Sequence, residues 1–249
     1  MEKRTRLRHG LRQSERFAEP ELEEKMKTET TMNEAVRDNY RHLAASMEKH
    51  LVRRGHVPFY AATASEALEK VLDLIPAGAS VGIPGSVTIR EIGAVEALRG
   101  RGHKVVQHWD PKATAAEKLE ARFEEAQCDV FLASSNAITK DGVLVNIDGS
   151  GNRVAAMCWS RGDRIYVVGM NKVCPDVASA LARVRDRAAP PNALRLKSKT
   201  PCAVMGCHDE KGCLGPDSLC RAVLIMEQAP TMPDGRKSYV VLVGEELGY

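Results

Sequence analysis

Aromatic residues make up only 4% of this 249-residue sequence, so its core must be built from Ala, Val, Leu, Ile and Met. No apolar run approaches the roughly 20 residues that a helical membrane span requires. The first residues, MEKRTRLRHGLRQSERF, are basic but lack an apolar centre and a small-residue cleavage site, so they do not read as a secretory signal. Much of the basic excess behind the net charge of +3 sits in that first segment, and the body has no basic stripe with interleaved aromatics. The footprint of a nucleic-acid binder is therefore missing. Also missing is the even cysteine framework of a small secreted scaffold: the chain has seven cysteines. These absences together point to a cytoplasmic protein.

What is present is a 43% hydrophobic chain, long enough for one large α/β domain or two small ones. Residues 1–31 are charged, have no sustained apolar period and end in TETTM; they read as a disordered or loosely helical extension. Residues 32–249 read as a single α/β domain. Val36, Tyr40, Leu43, Ala44, Met47 and Leu51 fall at helical spacing, with Gly55 where a C-cap is expected. After that helix, short apolar runs alternate with amphipathic ones. The strands are expected at 57–60, 80–83, 104–107, 129–133, 143–147 and 164–169. Such alternation predicts a mostly parallel sheet covered by helices on both faces. Beyond Pro190-Pro191 the character changes. Residues 190–249 hold a basic linker, a cysteine-rich loop and the runs AVLIM and SYVVLV, whose connection PTMPDGRK suits a hairpin or a flexible link.

In open α/β sheets, ligands bind beyond the carboxyl ends of the strands. Several polar loops follow predicted strands here. In PGSVT, Gly85, Ser86 and Thr88 can cradle an anion with backbone N–H groups and hydroxyls, or Ser86 can simply cap the next helix. In SSNAITKDG, Asn136 and Thr139 are the candidate hydrogen-bonding side chains, and Asp141-Gly142 signals a hairpin turn. The stretch NIDGSGNR offers Asn146, Asp148, Gly149, Gly151, Asn152 and Arg153. Its glycines permit close backbone approach, and the Arg153 fork matches a carboxylate or phosphate. Arg153 equally suits a pairing with Asp148 that braces the loop. GMNK adds Asn171 and Lys172. Asp148 is the candidate for proton transfer, with Glu91 as a second carboxylate. GSGNR is not the dinucleotide fingerprint, and no nicotinamide site is expected.

Four cysteines, Cys202, Cys207, Cys213 and Cys220, are separated by four, five and six residues. Zinc knuckles are usually tighter, and only the first step comes near that spacing. An iron–sulfur cluster, zinc, free thiols and a redox disulfide all stay open for this segment.

The segments GSVTIREIG, NAITKDGVLVNIDGSGNRVAA and VGMNKV, the Ala-Pro-Pro-Asn-Ala run at 189–193 and the closing VLVGEELGY resemble the LUD family of lactate-utilization proteins, C-subunit type. The resemblance runs from about Asn33 to the C-terminus. It implies a three-layer α/β sandwich related to the sugar-phosphate isomerase and CoA-transferase fold. It also implies an accessory role beside iron–sulfur oxidoreductase subunits that oxidise L-lactate to pyruvate, with a small anionic metabolite as ligand and homo-oligomers compatible. The chain departs from the family at Pro84-Gly85, where relatives often carry Gly-Gly, and in the wide Cys207–Cys213 spacing. A stand-alone isomerase or transferase acting on a phosphorylated or CoA-linked metabolite is the alternative, and a regulatory or structural binding module is the third reading.

Overall fold

The computed structural model describes the backbone of residues 19–204, 213, 215–216, 218–231 and 234–249, with side chains from residue 33 onward. Among the described residues, ten strands form two sheets. The first holds β1 (Val57–Ala61), β2 (Val81–Gly82), β3 (Val105–Val106), β4 (Val130–Ala133), β7 (Asp163–Gly169) and β10 (Ser238–Val243). Their order is β1-β10-β7-β4-β2-β3, and every neighbouring pair is parallel. The second, smaller sheet orders β8 (Val173–Cys174), β5 (Ala137–Thr139), β6 (Leu144–Asp148) and β9 (Ala222–Met226), with β6 antiparallel to both its neighbours.

Side chains alternate across the parallel strands, and the two faces carry different cores. Val130, Leu132, Ile165, Val167, Val241 and Val243 belong to one buried cluster with residues of α2 (Ala64–Leu74), α3 (Val87–Glu91) and α4 (Ala94–Gly100). Phe131, Ala133, Tyr166, Val168, Val240 and Leu242 belong to the other. That second cluster takes in Ala44, Met47 and Leu51 of α1 (Glu19–Arg53) and Ala156 and Met157 of α6 (Asn152–Trp159). Ile138, Leu144 and Met226 bring one face of the small sheet into it. The opposite face of the small sheet, Ala137, Val145 and Ile147, packs with Ala180 of α7 (Val177–Arg183) and with Val184 and Ala188. The result is an α/β sandwich whose main sheet is flanked by helices.

Several expectations are corrected. The first helix begins at Glu19, well before Val36, and Val36 itself is exposed, so the apolar stripe starts at Tyr40. The apolar period through Ile89, Ile92, Val95 and Leu98 reads as a single helix, but the structure makes two, broken at Gly93. VLVNI does not join the parallel sheet: with Ala137–Thr139 it makes an antiparallel hairpin, turning at Asp141-Gly142. AVLIM and SYVVLV are not hairpin partners. The first is the edge of the small sheet, and the second is inserted between β1 and β7 in the middle of the large one.

Candidate functional site

The chain runs from β2 outward to β3 and then returns to place β4 on the other side of β2. That reversal is a topological switch point, where the loops leaving β2 and β4 diverge and open a crevice. A cavity of about 250 Å³ lies there. It collects Gly85 and Ser86 after β2, His108 and Trp109 after β3, Ser134 to Asn136 after β4, Lys172 after β7, and Gly248 and Tyr249 after β10. The loop between β6 and α6 supplies Asp148, Gly149, Ser150, Asn152 and Arg153. On the remaining side stand Arg122 of α5 (Ala115–Glu125) and Asn192 and Arg195 of α8 (Ala189–Arg195).

Lys172 lies at the bottom of this crevice, 3% exposed. A short 3₁₀ turn, Met170–Lys172, carries it off the end of β7. Its Nζ donates to Thr88 Oγ1 at 2.8 Å and to Ser134 Oγ at 3.1 Å. Burial pushes its ammonium down to about 7, assisted by the charges of Arg183 and Arg153 and opposed by Glu91. Glu91 does not reach it; that carboxylate accepts the backbone N–H of Gly248 at 2.6 Å. Gly248 is there because its φ is +61° and because a Cβ would stand 2.5 Å from Thr88 Oγ1 and 3.1 Å from the lysine nitrogen.

Arg153 answers the question that the glycine-rich loop poses. Its Nε and Nη2 donate to Asp148 Oδ1 at 3.0 and 2.7 Å, and Nη2 also reaches Asn136 Oδ1 at 2.8 Å. The other oxygen of Asp148 accepts the N–H of Val154 at 3.0 Å, inside the first turn of α6. The anion at that helix start is thus the chain's own carboxylate, and both its oxygens are engaged. Nη1 of Arg153 is the guanidinium nitrogen left without a hydrogen-bond partner among the described residues.

The far wall is cationic and aromatic. The Trp109 ring lies between two guanidinium groups, Arg90 at 3.5 Å and Arg195 at 4.3 Å from its centroid. Burial, and for Arg90 the charge of Arg195, push both arginines below their ordinary value; for Arg195, Tyr249 acts in the opposite direction. Trp109 Nε1, Arg122 Nε and Arg195 Nε are buried without hydrogen-bond partners among the described residues. Gly85 permits the ring's approach: its φ is +75°, and a Cβ would stand 1.9 Å from Trp109 Nε1. His108 is held by Glu125, whose Oε1 meets the ring Nδ1 at 2.7 Å and accepts the His108 backbone N–H at 2.8 Å. Glu125 is itself 1% exposed.

Of the residues singled out in the sequence, Gly85, Ser86, Thr88, Asn136, Asp148, Gly149, Asn152, Arg153 and Lys172 line this one cavity. Ser86 does two jobs, since its hydroxyl also accepts the Ile89 N–H as an N-cap. The others, Glu91 and Thr139 among them, do not line it. Asn146 is fully buried, its amide bonded to Asn136 N–H and Ser135 Oγ. Gly151 caps α6 with φ +84°. Asn171 Oδ1 accepts the N–H of Leu247. Sequence reasoning missed His108, Trp109, Arg122, Ser134, Asn192 and Arg195. The signal for two of them was available: His108-Trp109 follows a predicted strand, and Trp109 is one of two tryptophans.

The cysteine segment does not form a donor set within the described residues. Cys207 and His208 lie outside them, and no three His, Cys, Asp or Glu side chains gather to hold a metal ion among those described. Cys202 shares a hydrogen bond with Thr200, whereas Cys220 lines the cavity. Among the described residues, no helix is long and apolar enough to cross a membrane.

Comparison with known proteins adds a family. The sequence model of a family described as the LUD domain matches residues 44–243. No curated protein matches. A solved structure described as a DUF162 family protein from Deinococcus radiodurans aligns over 82% of this chain and 98% of its own, with 13% identity and a TM-score of 0.44.

Proposed function

The chain belongs to the LUD domain family, and from that premise we propose that it binds a small anionic metabolite in the cavity at the sheet's carboxyl edge. It does so as a lactate-utilization-type accessory subunit of an iron–sulfur oxidoreductase system that converts L-lactate to pyruvate. One observation carries the anion reading. Lys172, Arg122 and Arg195 face a single cavity, and none has a carboxylate partner among the described residues. Lys172 is buried, whereas Arg122 and Arg195 are half-buried with only their Nε atoms enclosed, and charge taken out of water is normally paired because leaving it unpaired costs several kcal/mol. An anionic ligand completes the pairing. The cavity volume of about 250 Å³ is below the usual range for drug-sized ligands, so it fits a small hydroxy acid, oxo acid or phosphorylated metabolite. A whole CoA or dinucleotide would have to extend outside it.

Isothermal titration with L-lactate, pyruvate and inorganic phosphate tests the site. At least one is expected to bind, and Arg195→Ala is expected to weaken it. Failure of all three to bind would refute the anion reading. The subunit role is tested by affinity purification of the full chain from cells. Recovery of stoichiometric iron–sulfur protein supports it, and recovery of the chain alone under anaerobic conditions counts against it.

The imidazole of His108 anchored on a buried carboxylate favours a second reading, a stand-alone isomerase or transferase acting on a phosphorylated metabolite. Asp148 is less suited to proton transfer than it looked in the sequence, since Arg153 and Val154 occupy both its oxygens. Turnover of a sugar phosphate by the isolated chain would favour this second reading over the subunit role.

A further inference from the structure

Lys172 is not built like a lysine whose task is to hold a fixed charge. Such a lysine is best kept protonated, by a carboxylate or by water. Here the amine meets two neutral hydroxyls, Thr88 Oγ1 at 2.8 Å and Ser134 Oγ at 3.1 Å. It is 3% exposed and opens onto the cavity. The groups that bear on it electrostatically are Arg183, Arg153 and Glu91, two cations against one anion. The backbone of Gly248 closes over it so tightly that a Cβ there would sit 3.1 Å from Nζ. Buried amines beside other cations lose their proton readily and become nucleophiles.

We propose that Lys172 is a nucleophile that forms an imine with a small carbonyl compound carrying an anionic group, a 2-oxo acid or a phosphorylated aldehyde or ketone. This inference rests on the anion site proposed above and names its substrate class. The neutral amine attacks the carbonyl carbon, forming the C–N bond as the C=O π pair moves to oxygen. A proton passes from nitrogen to that oxygen to give the neutral carbinolamine; its hydroxyl then takes a second proton as nitrogen gives up its other one, so that water departs and the C=N bond is left. Each hydroxyl beside Nζ can accept a proton from nitrogen while donating one to oxygen, which a carboxylate partner at neutral pH does not do. Arg122 and Arg195 line the same cavity and supply charge for the anionic end. The low proton affinity of Lys172, lying near 7, keeps a substantial neutral fraction at physiological pH.

Reductive trapping tests this on the intact chain. The protein is incubated with pyruvate, or separately with dihydroxyacetone phosphate, in the presence of sodium cyanoborohydride, and the products are peptide-mapped by mass spectrometry. The expected result is one dominant adduct at Lys172, with the mass of the carbonyl compound less one oxygen, suppressed by excess inorganic phosphate. Trapping by pyruvate alone assigns a carboxylate to the anionic end, and trapping by the phosphate ester alone assigns a phosphoryl group. Adducts confined to exposed lysines, or none, would overturn the proposal. Calorimetric titration with inorganic phosphate separates the two claims. If phosphate binds and Lys172 is not trapped, the imine fails and the anion site stands; if phosphate, pyruvate and L-lactate all fail to bind and nothing is trapped, both fail. Lys172→Arg keeps the charge and is expected to bind phosphate while giving no adduct. Should that variant not fold, the map of the wild-type chain decides.

Discussion

Replacing Lys172 with Met, a side chain of similar length without the amine, tests how the cavity charges are arranged. In the folded protein the Lys172 ammonium is pushed down to about 7 from its ordinary 10.5, by burial first and by Arg183 and Arg153 second. Between those values the unfolded chain binds a proton at this position and the folded chain does not. Stability is therefore greatest above the upper value and falls as pH drops toward the lower one, below which the loss is complete. The slope for one proton is about 1.4 kcal/mol per pH unit, so between about pH 9.5 and pH 7 the wild-type chain gives up about 3 kcal/mol. Other titrating groups contribute equally to wild type and Lys172→Met, so they cancel in the difference. Urea denaturation of both proteins at the two pH values measures it. Lys172→Met is expected to gain on the wild type by that amount as pH falls. Parallel stability profiles would show that Lys172 stays protonated through the range, and the argument for a depressed ammonium would be refuted.

Arg153→Ala is expected to lower stability by about 2–4 kcal/mol, because Asp148 would be left mostly buried without its cation; an unchanged melting temperature would contradict the bracing geometry. Gly85→Ala is expected to displace Trp109 from between Arg90 and Arg195. Intrinsic tryptophan fluorescence should register it, together with a loss of more than about 1 kcal/mol from the positive φ alone; an unaltered spectrum and melting temperature would count against the packing described. Deleting residues 1–31 is expected to leave the melting temperature nearly unchanged, and a drop of several degrees would show that this segment contributes to the folded domain.

The legible parts of the fold were those that local pattern decides. Apolar runs gave the parallel strands, since a strand buried on both faces must be largely apolar, and β4 and the 165–169 stretch of β7 are. Asp141-Gly142 announced its hairpin for an equally local reason. Sheet membership was not legible, because it depends on partners far along the chain. AVLIM and SYVVLV have similar compositions, yet one pairs with residues 144–148 and the other with residues 57–61 and 164–169. The site divides along the same line. Thr88, Asn136, Asp148, Arg153 and Lys172 sit in loops that directly follow or flank strands, so position alone nominates them. Arg122 and Arg195 sit on helices whose charged residues look like any solvated face, and only the tertiary packing turns them inward. Sequence suggested either a ligand role or a bracing role for Arg153, and the hydrogen bonds to Asp148 and Asn136 supply the bracing directly.

Those inward cations also bear on why the chain is built as it is. Domains of this kind are stable by only about 5–15 kcal/mol. The depressed ammonium of Lys172 alone draws about 4 kcal/mol from that margin at neutral pH. Arg122 and Arg195 add buried guanidinium nitrogens that make no hydrogen bond. Apolar substitutes would fit the cavity walls at lower cost, so packing does not account for these residues, whereas a site poised for an anion does. An anion bound beside these cations offsets that cost. At about 100 times its dissociation constant, it should raise folding stability by about 2.7 kcal/mol. Part of that gain should come as proton uptake by Lys172, since the new negative charge draws its pKa upward. Calorimetry in two buffers of different ionisation enthalpy would detect that uptake, and binding without proton transfer would place the anion away from Lys172.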